Sequence, residues 1–378
     1  MPPPIPFNRP PITGRELSFL KEAIERRELS GDGHFTKQCE AWIGERLKSG
    51  RALLTHSCTG ALEMAAILAD LAPGDEVIMP SFTFVSTANA VVLRGAVPVF
   101  VDIRPDTLNL DERLVEAAMT PRTKAIFVVH YGGVCAEMDV FSDIAARHRL
   151  LLVEDAAQAL LATYRGRLAG TLGDVACFSF HASKNIVSGE GGALVTDRDD
   201  LAERAAVIRE KGTNRARFLL GLVDKYTWTD LGSSYVPSEL VAAFLYAQLE
   251  DADAITAERR AIWQHYHEAF ADIEARDIGV RRPIVPAHCG HNGHLYYLLL
   301  PDRDRRDAMI SSLRAQGITA PFHYVPLHSS DAGRRFSRAV GMLAHTDDVS
   351  DRLIRLPMWA GMRDEIERVV AVIHDLIR

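Results

Sequence analysis

The sequence predicts an α/β protein in which a large domain, built on a mostly parallel sheet, is followed by a smaller C-terminal α/β domain. From residue 50 onward, short apolar segments typical of strands alternate with longer segments of helical periodicity. The strand-like segments are apolar almost throughout, as expected of parallel strands covered on both faces. A long helical stretch then leads into a second, shorter series of helix and strand patterns. We therefore expect an N-terminal arm and large domain over residues 1–250 and a smaller domain over residues 251–378.

The predicted elements follow in a regular order. Predicted strands of the large domain lie at residues 51–57, 75–82, 97–103, 124–131, 150–155, 175–180 and 193–195. In the C-terminal domain the pattern predicts one long helix over 238–272, a strand at 293–300, a helix at 306–317, a strand at 317–324 and a final helix over 366–377. Parallel sheets bind ligands at the carboxyl ends of their strands. These ends carry Ser57 to Gly60, Ser81 to Phe84, Tyr131 and Asp155 to Gln158, which we expect to share one rim.

Composition and charge exclude several classes of protein. The 378 residues include 43 basic and 50 acidic side chains, for a net charge of −7, which argues against nucleic-acid binding because phosphates attract basic surfaces. The five cysteines are scattered, form no CxxC pair and predict neither a disulfide framework nor a metal site. The proline-rich start lacks the apolar core of a signal peptide, and no segment is apolar enough to span a membrane. We expect a cytoplasmic protein with reduced thiols and no bound metal.

A short polar segment between a strand and a helix is the first candidate binding site. Ser57, Cys58 and Thr59 lie where the helix begins, so free backbone N–H groups and the helix dipole favour an anion such as a phosphate. The same residues also suit an ordinary helix N-cap, which Ser and Thr favour. Neither a Walker lysine pattern nor a GxGxxG fingerprint follows a strand here, so a P-loop or dinucleotide-binding fold is not predicted.

Asp155 and Lys184 are the candidate catalytic residues. Asp155 ends an apolar strand, where a buried carboxylate needs a positive partner. The partner could be a metal or the protonated ring nitrogen of a cofactor. Alternatively, Asp155 could cap the following turn. Lys184 lies in a loop after the strand that ends near Ser179, a place where a lysine is ordinarily a solvated surface charge. Pyridoxal phosphate requires four kinds of group, and the sequence contains all of them: an anion site, the aromatic residues Phe82 and Phe84, an acid at a strand end and a lysine.

The segments PSFTFVSTANAV, VEDAAQA and FSFHASKN…GEGGALV carry a resemblance to a known family. Over nearly its whole length the chain resembles the DegT/DnrJ/EryC1/StrS family of pyridoxal-phosphate-dependent sugar aminotransferases. Within that family it is most similar to transaminases that act on TDP-4-keto-6-deoxy-D-glucose, a subgroup that GDGHFT, SCTGALEMAA, KGTNR, DKYTW and FHYVPLH fit. The resemblance implies the fold of a fold-type-I aminotransferase.

The resemblance also implies roles for individual residues. Lys184 is expected to form the Schiff base with the cofactor and then to carry the proton, while Asp155 pairs with the pyridine nitrogen. Gln158 is expected to bind the ring hydroxyl, with Phe84 and Ala157 on the two faces of the ring. The remaining implied contacts are those of Cys58, Thr59 and Ser179 with the phosphate and of His323 with the sugar nucleotide.

One segment departs from the family pattern G-x-N-x-R, in which the Asn reaches the cofactor phosphate of the neighbouring subunit. In GSSYVPSEL, Ser234 occupies the Asn position and Val236 the Arg position. Ser234 can still donate a hydrogen bond, over a shorter reach. The resemblance further implies a homodimer with shared active sites, and the loop over residues 213–228, which mixes apolar, aromatic and basic side chains, is expected to cross to the partner.

The expected reaction transfers the amino group of L-glutamate to C4 of TDP-4-keto-6-deoxy-D-glucose and gives a TDP-4-amino-4,6-dideoxyhexose. A transaminase for another keto nucleotide sugar, such as a 3-keto sugar, is the nearest alternative, and a non-catalytic regulator that binds pyridoxal phosphate is another. A sugar 3-dehydratase of the same fold is disfavoured because those enzymes have histidine where this chain has Lys184. The missing nucleotide fingerprint disfavours a nicotinamide-dependent reductase.

Overall fold

The computed structural model of the protein describes residues 3–377 and shows a large central sheet with helices on its two faces. Met1, Pro2 and Arg378, at the ends of the expected arm and C-terminal domain, lie outside the described residues. The strands are β1 (Arg51–Thr55), β2 (Glu76–Pro80), β3 (Val97–Val101), β4 (Thr123–Val129), β5 (Leu151–Asp155), β6 (Thr163–Tyr164), β7 (Arg167–Leu168), β8 (Val175–Ser179), β9 (Gly192–Thr196), β10 (Cys289–Gly290), β11 (Tyr296–Leu299), β12 (Arg338–Ala339) and β13 (Leu353–Leu356).

The helices vary from one turn to five. They are α1 (Glu16–Arg26), α2 (His34–Leu47), α3 (Cys58–Leu68), α4 (Val85–Val92), α5 (Val115–Ala118), α6 (Met138–His148), α7 (Asp199–Arg209), α8 (Arg215–Leu219), α9 (Glu239–Glu250), α10 (Ala252–Ala269), α11 (Ala271–Ala275), α12 (Arg303–Ala315), α13 (Asp331–Phe336), α14 (Ala344–Arg352) and α15 (Asp364–Ile377). Among residues 3–377, none of these helices combines the length and the apolar character needed to cross a membrane.

The large sheet has eight strands in the order β1-β9-β8-β5-β4-β2-β3-β12. Strand β9 runs antiparallel to both of its neighbours, β1 and β8, whereas the pairs from β8 to β12 are parallel. Because β9 is reversed relative to both neighbours, β1 runs in the same direction as β8. The expected mostly parallel sheet is confirmed, and the carboxyl ends of β1, β2, β4, β5 and β8 lie on one edge.

Burial on both faces explains why the central strands are apolar throughout. In β2 and β4, Ile78 and Val128 pack in the core on one face of the sheet, while Val77 and Phe127 pack in a second core on the other face. Alternate side chains of a strand point to opposite faces, so a strand between two helical layers has no position for a polar residue along its middle. Most polar groups therefore lie at the strand ends; inside β5, the buried Glu154 is paired with His130 (2.8 Å).

The C-terminal region forms a separate hydrophobic core around an antiparallel pair of strands, β11 and β13. Tyr296 and Leu298 of β11 pack there with Trp263 of α10 and Ile366 of α15. Ile5 of the N-terminal arm packs into this same core. We keep the division near residue 250 as a proposal, because this core is separate, although β12 of the C-terminal region completes the edge of the large sheet.

The structure corrects three predicted elements. The long helix over 238–272 is broken at Asp251, which has φ −104° and ψ 10°; α9 and the start of α10 pack in the core of the large domain, whereas the rest of α10 packs in the C-terminal core. Leu240, predicted on the buried stripe, is exposed. The segment 317–324 is not a strand and makes only single bridges at Ile318 and Phe322. The first strand ends at Thr55, since Ser57 already caps α3.

Candidate active site

A cavity of about 410 Å³ lies at the carboxyl edge of the large sheet and is closed on the other side by residues of the C-terminal region and the N-terminal arm. Among its lining residues are Cys58, Thr59, Phe84, Asp155, Ala157, Gln158, Ser179, Lys184 and His323, all expected from the sequence. Ser234 is exposed and pairs with Glu210 in a short bridge away from this cavity. Apart from Ser234, the expected site residues therefore meet within a single chain.

The start of α3 forms one wall of the cavity. Ser57 Oγ accepts a hydrogen bond from the Gly60 N–H (3.0 Å), which makes Ser57 the N-cap. Cys58 and Thr59 open the helix, and N–H groups in the first turn of a helix have no partner within it. Thr59 Oγ1 lies 2.8 Å from Ser86 Oγ, a second hydroxyl of the cavity wall. The N-cap and the anion-binding interpretations of this segment are thus compatible, because different residues serve each.

A glycine of β9 lets the sheet approach this helix start. An added Cβ at Gly192 would lie 2.4 Å from the Cys58 nitrogen and 2.4 Å from the Ser57 carbonyl carbon. Real side chains do not approach a backbone so closely, so only glycine permits this packing. Gly192 thereby keeps the N–H groups at the start of α3 beside the cavity.

Asp155 ends β5 with a buried carboxylate that is 5% exposed. Its Oδ2 accepts a hydrogen bond from Thr87 Oγ1 (2.7 Å), and its Oδ1 accepts one from the Ala157 N–H (3.2 Å). Burial raises the pKa of Asp155, against the opposing effects of these two hydrogen bonds and of the more distant Lys184 and His130. The carboxylate is therefore oriented by neutral donors, and no cation of residues 3–377 is in direct contact with it.

Lys184 lines the same cavity from the loop between β8 and β9 and is partly buried. Burial lowers the pKa of Lys184, although Cys58 and Asp155 act in the opposite direction. A lowered pKa increases the fraction of neutral amine, the form that attacks a carbonyl carbon or accepts a proton. The interpretation of Lys184 as a solvated surface charge is thus wrong.

A network of side chains joins the sheet edge to the C-terminal region. Gln158 Oε1 accepts a hydrogen bond from the Gly132 N–H (2.7 Å), and its Nε2 donates to the Tyr324 hydroxyl (3.0 Å). Tyr131 Oη lies 3.1 Å from Nδ1 of His323. Burial, together with nearby positive charges, holds the pKa of His323 well below its usual range, so this imidazole is neutral.

Sequence reasoning missed several residues of the site. Thr87 and Ser86 lie on the first turn of α4, and Tyr324 follows His323 in the FHYVPLH segment. Arg355 reaches the cavity from β13, and Phe7 reaches it from the N-terminal arm. Nothing in the local sequence pattern around these residues shows which side chains face the cavity.

These residues fit pyridoxal phosphate. A buried Asp155 carboxylate, whose pKa is raised by burial, suits a protonated ring nitrogen. The helix start beside Gly192 suits a phosphate, because backbone N–H groups and the helix dipole both attract anions. Lys184, in the same cavity, would supply the amine. The residues that would hold the ring, the phosphate and the aldehyde carbon therefore line one cavity.

Comparison with known proteins agrees with this geometry. The model of the DegT/DnrJ/EryC1/StrS aminotransferase family matches residues 10–374. GDP-perosamine synthase from Caulobacter vibrioides is 34% identical over 386 aligned residues, which cover 99% of this chain and 99% of that protein. Two solved structures, S. venezuelae DesV in complex with a ketimine intermediate and DesI in the presence of its TDP-sugar product, are each 31% identical with a TM-score of 0.89. The alignments cover all of this chain and 99% of DesV and 94% of DesI.

These matches confirm the resemblance, the fold and the cofactor expected from the sequence. They also set aside the alternative of a non-catalytic regulator, because the family and its named relatives are aminotransferases and synthases. The chain belongs to the DegT/DnrJ/EryC1/StrS family and is a pyridoxal-phosphate-dependent aminotransferase of nucleotide sugars.

Proposed function

We propose that the enzyme transfers the amino group of L-glutamate to C4 of TDP-4-keto-6-deoxy-D-glucose and releases a TDP-4-amino-4,6-dideoxyhexose. The observation that carries this proposal is the convergence of Lys184 and Asp155 on one cavity beside the helix start of α3. Transamination needs an amine that moves a proton and an acid that keeps the ring nitrogen charged. Both groups belong to this chain.

The proposed roles follow from the hydrogen bonds. Bound pyridoxal phosphate supplies an electron sink next to the substrate carbon. Lys184 moves the proton between that carbon and C4′ of the cofactor, a task that its lowered pKa favours. Asp155 holds the proton on the ring nitrogen, and the donors from Thr87 and Ala157 keep its two oxygens in place.

Other residues are proposed to orient the cofactor. Gln158 keeps one Nε2 hydrogen for the ring hydroxyl after bonding Tyr324, and its Oε1 is already occupied by Gly132. Phe84 is 60% exposed on the cavity wall, as suits a side chain that a ring would cover. The further proposed contacts are Ala157 with the second ring face and Cys58, Thr59 and Ser179 with the phosphate.

The acceptor is proposed from the sequence motifs and from the relatives. DesI was solved with its TDP-sugar product, which supports a TDP-linked acceptor. GDP-perosamine synthase is named for a GDP-linked sugar, so a GDP-linked 4-keto sugar is a second candidate alongside a 3-keto sugar. His323, neutral and in the cavity, is proposed to bind the sugar nucleotide.

We propose a homodimer with shared active sites. The loop over residues 213–228 exposes apolar side chains, with Leu220 74% and Trp228 77% exposed, a pattern that favours an interface. Ser234 lies outside the cavity of its own chain and is proposed to donate to the cofactor phosphate of the partner. The proposed location is the cytoplasm, where thiols stay reduced, because all five cysteines are free and four are buried.

A two-step spectral titration tests the proposal. The holoenzyme is treated with L-glutamate, which should bleach the visible band of the bound cofactor, and is then separated from excess amino acid. TDP-4-keto-6-deoxy-D-glucose, the corresponding GDP-linked 4-keto sugar and a TDP-linked 3-keto sugar are added to separate samples. Only the first should restore the band fully, and NMR of its product should show an amine at C4.

The possible results separate the parts of the proposal. If the band recovers faster with the GDP-linked or the 3-keto sugar, the proposed acceptor is wrong. The assignment as a transaminase still holds in that case. If L-glutamate does not bleach the band and another amino acid does, the proposed donor is wrong and that amino acid is the donor. Equal bleaching and recovery in a Lys184→Ala variant would contradict the role assigned to Lys184.

A further inference from the structure

His294 places a neutral imidazole in the cavity that Lys184 also lines. It lies two residues before β11, the first strand of the C-terminal pair. Burial holds the pKa of His294 well below its usual range, and the charge of Lys184 acts in the same direction. The ring is therefore uncharged at neutral pH, with a proton on one nitrogen and a lone pair on the other.

Asn185, the residue after Lys184, determines which nitrogen carries that proton. Its side chain is 4% exposed, and its Nδ2 donates to the backbone carbonyl of Asn292 (2.9 Å). This bond sets the orientation of the amide, so the atom that lies 3.0 Å from Nδ1 of His294 is the amide oxygen Oδ1. Because an amide oxygen only accepts, Nδ1 must carry the proton and donate it to this bond.

The backbone around His294 is held from two sides. Nε and Nη2 of Arg259 donate to the carbonyls of Gly293 and His294 (3.0 and 2.6 Å). Asn292 Nδ2 donates to the carbonyl of Gln158 (2.9 Å), which belongs to the segment after β5. The imidazole is therefore fixed relative to both α10 and the carboxyl edge of the large sheet.

Nε2 of His294 is left as an unprotonated acceptor. It has no hydrogen-bond partner among residues 3–377, although buried polar groups usually have one. Its lone pair repels carboxylates and phosphates, which only accept, and attracts groups that donate, such as hydroxyl and ammonium groups. In the cavity that His294 lines, such a donor comes from a ligand or from the amine of Lys184.

We propose that Asn185 fixes the tautomer of His294 and that Nε2 of His294 accepts a hydrogen bond from the C3 hydroxyl group of the acceptor sugar. This inference deepens the proposed function and rests on it. The keto carbon C4 must reach the cofactor in this cavity, and the C3 hydroxyl is attached to the neighbouring carbon. The other neighbour, C5, carries a methyl group and no hydroxyl. An acceptor at this place therefore orients the sugar by distinguishing the two sides of C4.

The amino donor makes different use of the cavity. L-glutamate offers two carboxylates, which an unprotonated nitrogen repels, and its amine is used in the bond to the cofactor. His294 should therefore serve the half-reaction with the keto sugar and contribute little to the half-reaction with the amino acid. A contact with the amine of Lys184 would behave differently, because that amine is released in both half-reactions and both would then depend on His294.

Two substitutions of His294 separate the roles of its two nitrogens. The amide of asparagine can replace Nδ1 but does not reach the position of Nε2, whereas the longer glutamine places its amide there. We expect His294→Asn to lower kcat/KM of the sugar half-reaction about tenfold, the effect of one lost hydrogen bond, and His294→Gln to lower it less than about threefold. The half-reaction with L-glutamate should change by less than about threefold in both variants. His345→Asn on α14, an exposed histidine outside the cavity, is the matched control and should change neither half-reaction.

The 3-deoxy analogue of the acceptor sugar tests the hydroxyl group itself. The wild-type enzyme should use this analogue about tenfold less efficiently than the parent sugar, because Nε2 of His294 is then left without a donor. In His294→Asn the two sugars should react at similar rates, since the group that distinguishes them is absent. The cycle of two sugars and two enzymes therefore measures the contact directly.

Nitrogen-15 NMR of histidine-labelled protein tests the tautomer without turnover. The signals of His294 are those missing from His294→Gln, and they should show a protonated Nδ1 and an unprotonated Nε2. In Asn185→Leu, which lacks the amide oxygen, the proton is free to occupy Nε2 and the signals should shift accordingly. The sugar half-reaction of this variant should fall about tenfold, as in His294→Asn. Asn185 is thus a positioning residue that acts through His294.

Other results would overturn the inference. Equal losses in the two half-reactions would assign Nε2 to the amine of Lys184, and equal use of the parent and 3-deoxy sugars by the wild-type enzyme would exclude the C3 hydroxyl. A protonated Nε2 in the wild-type spectrum would contradict the tautomer. If Asn185→Leu does not fold, the wild-type spectrum and the two His294 variants decide the inference. If the TDP-linked keto sugar does not react with the wild-type enzyme, the proposed acceptor fails, while the spectrum still decides the role of Asn185.

Discussion

Thr87→Val removes the hydrogen bond that orients the carboxylate of Asp155, the proposed partner of the ring nitrogen. Thr87 Oγ1 donates to Oδ2 of Asp155 over 2.7 Å, and both residues are buried, with Thr87 at 0% and Asp155 at 5% exposed. A hydrogen bond to a charged group contributes about 1.5–3 kcal/mol. Because 1.36 kcal/mol corresponds to a factor of ten in rate, we expect kcat of the holoenzyme to fall about 10- to 100-fold.

The pH dependence gives this prediction a second readout. The pKa of Asp155 is already raised by burial, and the variant raises it further by removing a donor that stabilises the carboxylate. The carboxylate of Asp155 is then protonated at a higher pH, so the acidic limb of the pH profile of kcat should shift to higher pH. Thr87→Ser is the matched control, since it keeps the hydroxyl and removes only a methyl group. Identical kcat values and identical acidic limbs in the Val and Ser variants would refute the reasoning.

Three further predictions concern the lysine, the helix start and the sheet. Lys184→Ala should reduce turnover at least about 100-fold, because a positioned acid–base group contributes this much, and should release the cofactor on desalting; a coupled assay and an absorbance scan check both. Gly192→Ala should weaken pyridoxal phosphate binding at least about tenfold, measured by titration of the apoenzyme, because a Cβ would meet the Cys58 nitrogen at 2.4 Å. A hydrogen bond from Arg338 is the main cause that lowers the pKa of Glu76 from 4.5 to about 2, against the effect of burial. The ionised Glu76 therefore stabilises the folded protein above pH 4.5, and this contribution is lost as the pH falls toward 2. Glu76→Gln should lower the free energy of unfolding by about 3 kcal/mol at pH 7 and by clearly less at pH 3; equal losses in urea unfolding at both pH values would contradict this.

The sequence predicted the elements of the central sheet well and the connections around it less well. Strands such as 97–103 and 150–155 were recognisable because burial on both faces leaves an apolar run. The break at Asp251 was not recognisable, since the apolar positions before and after it continue a helical period. The break changes the helix direction between the core of the large domain, which α9 and the start of α10 share, and the C-terminal core, where the rest of α10 packs, and this direction depends on the position of the whole C-terminal region.

The residues of the candidate site also divide into those that the sequence indicates and those that it does not. Cys58, Asp155 and Lys184 could be proposed from sequence because each follows a strand whose carboxyl end must lie at the sheet edge. Their specific roles came from the resemblance and not from spacing. Thr87 and Tyr324 could not be proposed, since a threonine in a helix and a tyrosine in a loop have no pattern that shows which carboxylate or amide they contact.

By itself, the sequence determined which strands are buried and which polar residues follow them, because local periodicity records which faces of each element avoid water. In contrast, the antiparallel direction of β9 relative to its neighbours and the approach of the start of α3 to Gly192 beside the cavity depend on the packing of the whole chain. The packing of the two ends of the chain likewise brings Phe7 and Arg355 together in the cavity that Lys184 also lines. The physical reason is that such contacts depend on how distant segments pack around shared cores, which no local window of residues records.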